Sequence, residues 1–172
     1  MGSSPFARVD EFLRLRAEHW PEADTPITQL MVRLFRLSDR VVAEATSCVA
    51  RYGLTFTEFE VLAALRSSPP PHALQPTDLY AAILISSGGL TKVLYGLGER
   101  GLVVRDTGGT DRRSKPVRLT SKGRATAERV MADVLSTDRE RVSKALSKGE
   151  VGQLIRLLAK LLTAWELSPE TD

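Results

Sequence analysis

The sequence predicts a mainly α-helical chain with one small β-hairpin set between helices. Three observations lead to that class. Apolar residues recur every three or four positions over long stretches towards both ends of the chain, two short helical stretches follow one another near the middle, and after Gly101 the period shifts to that of two short strands around a turn-rich segment. With 172 residues, 42% of them hydrophobic and 26% charged, the chain has enough apolar material to build a core, and its composition excludes wholesale disorder.

Each element has its own local signal. Residues 6–20 place Phe6, Val9, Phe12, Leu13 and Trp20 at helical spacing, and Pro21 stops the run, so this is a short added helix followed by the linker PEADTP. Ile27, Leu30, Met31, Leu34, Leu37, Val41, Ala45 and Val49 then mark a long amphipathic helix, with Thr25 as N-cap ahead of Pro26 and Gly53 at its end. The next helix spans about Thr57–Arg66, with Thr57 as N-cap, Glu60 completing a capping box, and Phe59, Leu62 and Leu65 as its apolar stripe. SSPPPHALQP is a loop, because consecutive prolines cannot continue a helix. A short helix covers Thr77–Ile83, and Ser86 and Ser87 cap another over Gly88–Glu99, which Gly101 stops. Leu102–Asp106 and Val117–Thr120 read as strands on either side of TGGTDRRSKP. A long helix carries Val130, Val134, Leu135, Val142 and Leu146; Gly149 marks a break, and a last amphipathic helix presents Val151, Leu154, Ile155, Leu158, Leu161, Leu162 and Trp165.

Several chemistries are excluded. A single cysteine, Cys48, allows no internal disulfide and fits a reducing compartment; it lies among Ala45, Val49 and Ala50 and reads as a small core residue, with Arg51 the one nearby cation for a redox role. His19 and His72 lie far apart on loop edges, so no metal site is expected. No nucleophile with a base, glycine-rich phosphate loop or paired-carboxylate motif is present, so neither an enzyme nor a cofactor is expected. The longest apolar run, Leu79–Ile85, falls far short of the ~20 residues that span a bilayer. The start MGSSPFARVDEF shows no secretory pattern, and Phe6 spoils a myristoylation site, so the expectation is a soluble, cytoplasmic chain with no membrane partner.

Charge supplies the functional lead. The net charge is only +3, but residues 99–129 hold nine basic and four acidic side chains, whereas residues 1–60 hold seven and nine. Two short helices followed by a two-stranded ribbon with a basic tip form a winged helix-turn-helix, which projects such charge onto a duplex. The second helix of the pair fits the ~12 Å major groove. Its small, polar first turn, SSGGLTK, lets the backbone approach phosphates and base edges. Leu90, Val93, Leu94 and Leu97 form its inner face. The candidate DNA contacts on the helices are Thr77, Ser86, Ser87, Gly88, Thr91, Lys92 and Tyr95. Those on the wing are Arg112, Arg113 and Lys115, with Asp111 orienting the Arg113 guanidinium by a charge-assisted hydrogen bond.

The run from Leu74 to Gly123 resembles the winged helix-turn-helix of MarR-type (multiple antibiotic resistance) transcription regulators. It does so through ERGLVVR at Glu99–Arg105, DRRS at Asp111–Ser114 and RLTSKG at Arg118–Gly123. With the flanking helices the resemblance covers about residues 27–165. It implies a homodimer in which residues 25–53 and 121–166 of each subunit intertwine, residues 54–120 form the DNA-binding lobe, and residues 1–24 are an extension. The partner implied is double-stranded DNA carrying a pseudo-palindromic operator, and the function a transcriptional regulator, a repressor of its own or a neighbouring promoter. A dimeric winged-helix interaction module without DNA binding is the alternative, and the retained Arg112, Arg113 and Lys115 speak against it.

Many members of this family release DNA when a small aromatic anion binds. The chain is similar to a urate-responsive subgroup in its added N-terminal helix ending near Trp20, in an acidic residue on the second helix (Glu60, where aspartate is usual), and in Arg105 opening the wing. It departs where that subgroup has an Asn-Arg pair, since Lys92-Val93 stand there and a planar guanidinium fork is replaced by a point charge. Trp20, Glu60 and Arg105 are therefore the candidate ligand contacts. Their competing structural roles are a core plug fastening the extra helix, the capping box, and a phosphate or surface contact.

Overall fold

The computed structural model describes residues 8–83, 87–105 and 115–167, with the side chains of Ser87 and Gly88 outside that description. In chain order the elements are α1 (Val9–His19), a 3-10 turn (Pro21–Ala23), α2 (Pro26–Ala50), α3 (Phe56–Ser67), β1 (Ala73–Leu74), α4 (Pro76–Ile83), α5 (Ser87–Glu99), β2 (Val103–Arg105), β3 (Val117–Leu119), α6 (Ser121–Ala145) and α7 (Lys148–Glu166). The fold is the mainly helical one with a small antiparallel sheet that the sequence predicts. Two compact units divide the chain, residues 1–130 and residues 131–172.

In the first unit α3 is the hub. Val61, Leu62 and Leu65 are completely buried, and Phe59 nearly so. Leu79 and Ile83 of α4, Leu90, Leu94 and Leu97 of α5, and Val117 and Leu119 of β3 are among the other buried residues of this core. Each such side chain withdrawn from water contributes about 1.5–3 kcal/mol against the entropy of ordering the chain. Cys48 and Val49 at the end of α2 are buried as well. Cys48 is the core residue expected, and Arg51 Nη2 donates to its Sγ at 3.0 Å.

Four sequence expectations need correction. The capping box of α3 is not Thr57 with Glu60. Thr55 Oγ1 accepts from the Glu58 N–H at 3.2 Å while Glu58 Oε2 accepts from the Thr55 N–H at 2.8 Å, so the helix starts two residues earlier. The loop SSPPPHALQP contains a strand: β1 pairs antiparallel with β3, Ala73 opposite Arg118 and Leu74 opposite Val117, giving a three-stranded sheet in the order β1-β3-β2. The break between the last two helices falls ahead of Gly149, because Ser147 caps α7 and Glu150 closes its capping box. Trp20 is no core plug, being 63% exposed; α1 is fastened by buried Leu13 and by Arg33 of α2, whose Nη2 donates to Asp10 Oδ1 at 3.2 Å.

Other signals map directly onto structure. Thr25 caps α2 by accepting from the Thr28 N–H at 3.2 Å, with Pro26 at the first helical position. Gly53 and Gly101 both take positive φ, +65° and +66°, the left-handed conformation that ends a helix cheaply only for glycine.

Candidate nucleic-acid interface

The recognition helix is positioned from its inner face outward. Leu90, Leu94 and Leu97 of α5 sit in the core and Val93 is half-buried. The helical period then turns Thr91, Lys92 and Tyr95 to solvent, with Tyr95 69% exposed. The exposed ring of Tyr95 thus stands one helical turn from Lys92 on the solvent side of α5. Thr77 is exposed in the first turn of α4, so both helices of the pair present small polar groups. Ser87 and Gly88 open α5, while Ser86 lies outside the described residues.

The wing rises from the sheet. β2 and β3 pair with Val103 opposite Leu119, Val104 opposite Arg118 and Arg105 opposite Val117. Val103, Val117 and Leu119 are buried, whereas Arg105 at the far end of β2 is exposed. Lys115 leads into β3 and is half-buried. Asp111, Arg112 and Arg113, the basic tip expected from the sequence, lie outside the described residues.

The wing base is held at one corner, residues 100–102. Thr120 Oγ1 donates to the Gly101 carbonyl at 2.7 Å, and the Thr120 N–H to the Leu102 carbonyl at 3.1 Å. Lys122 Nζ donates to the Arg100 carbonyl at 2.9 Å. The Arg100 guanidinium reaches back to Glu58 on α3, 3.2 and 3.3 Å from its two carboxylate oxygens. A second link ties α3 to α6. Glu128 accepts from Arg66 Nε at 2.8 Å and from Arg124 Nε at 3.0 Å, and these guanidinium hydrogen bonds, that of Arg124 first, hold its carboxyl below the usual carboxylate range.

The three candidate ligand residues stand on or beside separate elements. Trp20 ends α1 exposed, Arg105 is exposed on β2, and Glu60 is half-buried on α3 with its carboxyl pKa raised by burial. No hydrogen bond or ion pair joins these three among the described residues. Among those residues, too, no group of three His, Cys, Asp or Glu side chains could hold a metal ion, and no helix is long and apolar enough to cross a membrane.

Comparison with known proteins places this geometry. The sequence model of the MarR family matches residues 52–114, which begin just after α2 and run past β2. A solved structure of the transcriptional repressor CouR bound to a 23-mer DNA duplex is 32% identical, aligns over 77% of this chain and 92% of that one, and superimposes with a TM-score of 0.66. The Mycobacterium tuberculosis MarR family protein Rv2887, solved in complex with p-aminosalicylic acid, is 31% identical with a TM-score of 0.62, over 77% of this chain and 97% of its own. The chain belongs to the MarR family. The HTH-type transcriptional regulator PecS of Dickeya dadantii is 27% identical over 156 residues, 91% of this chain and 93% of PecS. MarR family proteins are transcription regulators, so this chain is a DNA-binding regulator and not an enzyme.

Glu58 and Arg100 are the residues of this MarR lobe that sequence reasoning passed over. The pattern Thr55-x-x-Glu58, which competes with Thr57-x-x-Glu60 two residues later, could have found Glu58; no local pattern points to Arg100 as its partner.

Proposed function

We propose that this protein is a cytoplasmic homodimeric repressor that grips a pseudo-palindromic operator and lets go when a small aromatic anion binds. The observation that carries the DNA reading is the division of α5 into a buried leucine row and an exposed row of Thr91, Lys92 and Tyr95, beside a wing whose sequence is basic. Residues 54–120 supply that surface, with Thr77, Ser86, Ser87 and Gly88 approaching the backbone and Arg112, Arg113 and Lys115 reaching the minor groove. Two such lobes related by a dyad meet successive major grooves about 34–36 Å apart.

Dimerisation falls to residues 25–53 and 121–166, with residues 1–24 as an added helix and linker. It is supported by apolar side chains left in water: Ile27, Phe35 and Leu37 on α2, and Ile155, Leu157, Leu162 and Trp165 on α7. The ligand reading is supported by Rv2887 with p-aminosalicylic acid, and by Trp20, Glu60 and Arg105, which offer an aromatic face, a carboxyl and a guanidinium for a planar anion.

The test is fluorescence anisotropy on a duplex taken from immediately upstream of the protein's own coding sequence, across a range of salt concentrations. Lys92→Ala and Arg113→Ala are each expected to weaken binding and to flatten the log–log salt slope by about one. An unchanged slope in both variants removes α5 and the wing from the interface. Urate, xanthine and salicylate, added to the preformed complex, test ligand release.

A further inference from the structure

The corner formed by residues 100–102 lies where four elements meet: α5 ends there, β2 begins there, Thr120 and Lys122 tie it to the start of α6, and Arg100 ties it to α3. Among these ties one ion pair is partly withdrawn from water, with the Arg100 side chain 35% exposed. The Glu58 side chain is only 14% exposed, and one carboxylate serves two tasks: it closes the α3 capping box through the Thr55 N–H and receives Arg100 through both oxygens. Gly96 of α5 also packs beside it, since a Cβ there would stand 3.7 Å from Glu58 Oε1. The carboxylate therefore bonds to the start of α3 and to the root of the wing, and it lies close to the α5 turn at Gly96. Neither residue of the pair is among the outward groups of α5 or the wing tip.

We infer that the Glu58–Arg100 pair is a positioning device that fixes the angle between the recognition helix and the wing, and so sets sequence specificity without contacting DNA. This rests on the proposed interface of α5 and the wing. Sequence-specific binding needs the base-reading helix and the wing in register with two grooves at once, whereas non-specific binding needs only positive charge near phosphates. Arg100 Nη1, shared between both oxygens of a carboxylate already pinned by the Thr55 N–H, ties the wing root to the start of α3 and so holds that register. A loosened corner thus lowers affinity for the operator and spares affinity for arbitrary duplex.

The experiment compares Glu58→Gln, Arg100→Met and the double variant in the full chain. The side-chain amide introduced by Glu58→Gln retains an oxygen to accept from the Thr55 N–H, so the α3 cap survives while the ion pair is lost. Binding is measured to the upstream duplex and to a random-sequence duplex of equal length, with thermal melts alongside. Each single variant is expected to lose roughly tenfold in affinity for the upstream duplex, comparable to removing one specific contact. Its salt slope and its affinity for random duplex stay unchanged, and the double variant is no worse than either single one. Arg100→Lys restores part of the loss.

Unaltered specificity in both single variants overturns the inference. So does a flattened salt slope in Arg100→Met, which makes Arg100 a phosphate contact, and so does an equal loss on both duplexes, which makes the pair merely structural. Lys92→Ala separates the two levels. If it weakens binding while the Glu58 and Arg100 variants do not, only the positioning role fails; if it is silent as well, the interface itself fails and takes the inference with it.

Discussion

Glu60 has a half-buried carboxyl, no ion pair among the described residues offsets its lost hydration, and burial raises its pKa above the ordinary 4.5. The folded chain thus holds this proton more tightly than the unfolded chain does. Stability falls as pH rises from 4.5 through the raised value, and the penalty is fully present at neutral pH. Glu60→Gln is therefore expected to be slightly more stable than the parent in urea at about pH 7.5 and to match it near pH 4. Equal midpoints at the higher pH would mean that the carboxylate is adequately hydrated. The neighbouring choice of cap shows where sequence reading stops. Thr55-x-x-Glu58 and Thr57-x-x-Glu60 are equally good local patterns, and the structure uses the first, whose carboxylate also meets Arg100, 42 residues along the chain. Thr55→Ala is expected to cost about 0.5–2 kcal/mol in chemical denaturation, and Thr57→Ala to stay within about 0.5.

Whole elements are legible where one period runs for several turns. α2, α5 and α7 are announced by apolar residues at three- and four-residue spacing, and the polar outer row of α5 follows from the same period. β1 is not legible, because two residues following three prolines have no room for alternation; only pairing with β3 makes Ala73–Leu74 a strand. Gly123 is a similar case. It reads as one letter of RLTSKG, yet the first turn of α6 crosses the corner at residues 100–102 so closely that a Cβ at Gly123 would run into the Leu102 carbonyl. At Gly149, in the first turn of α7, an added methyl group would meet nothing within 4 Å. The two glycines should respond oppositely. Gly123→Ala must push α6 away from the wing root and is expected to lose about 1–3 kcal/mol, whereas Gly149→Ala gains up to about 1 kcal/mol from helix propensity. Guanidinium denaturation of both variants checks the sign, and a neutral Gly123→Ala would show that α6 can slide freely on that corner.

At the scale of the whole molecule, the sequence leaves more apolar surface than one chain covers. α7 buries none of its residues, although Leu154, Ile155, Leu157, Leu162 and Trp165 lie along it. A helix of this kind is not stable in water by propensity alone, so its apolar side chains demand a partner surface; in the proposed homodimer a second copy of the chain supplies one, with the dyad that the proposed pseudo-palindromic operator requires. Which side chains meet across that dyad is not legible in the sequence, because periodicity reports that a face is apolar and not what covers it. The consequence for binding is quantitative. Two tethered lobes raise each other's effective concentration at adjacent half-sites, so disrupting the dimer forfeits about 10²–10⁴ in operator affinity while each lobe keeps its own fold and charge. Ile155→Asp places a carboxylate among those apolar side chains. It is expected to shift the protein from dimer to monomer in sedimentation velocity at micromolar concentration, and to abolish tight binding to the upstream duplex while weak, salt-sensitive binding to random duplex persists. A parent protein that already sediments as a monomer would leave α7 to some other partner, and operator recognition would then have to come from a single lobe.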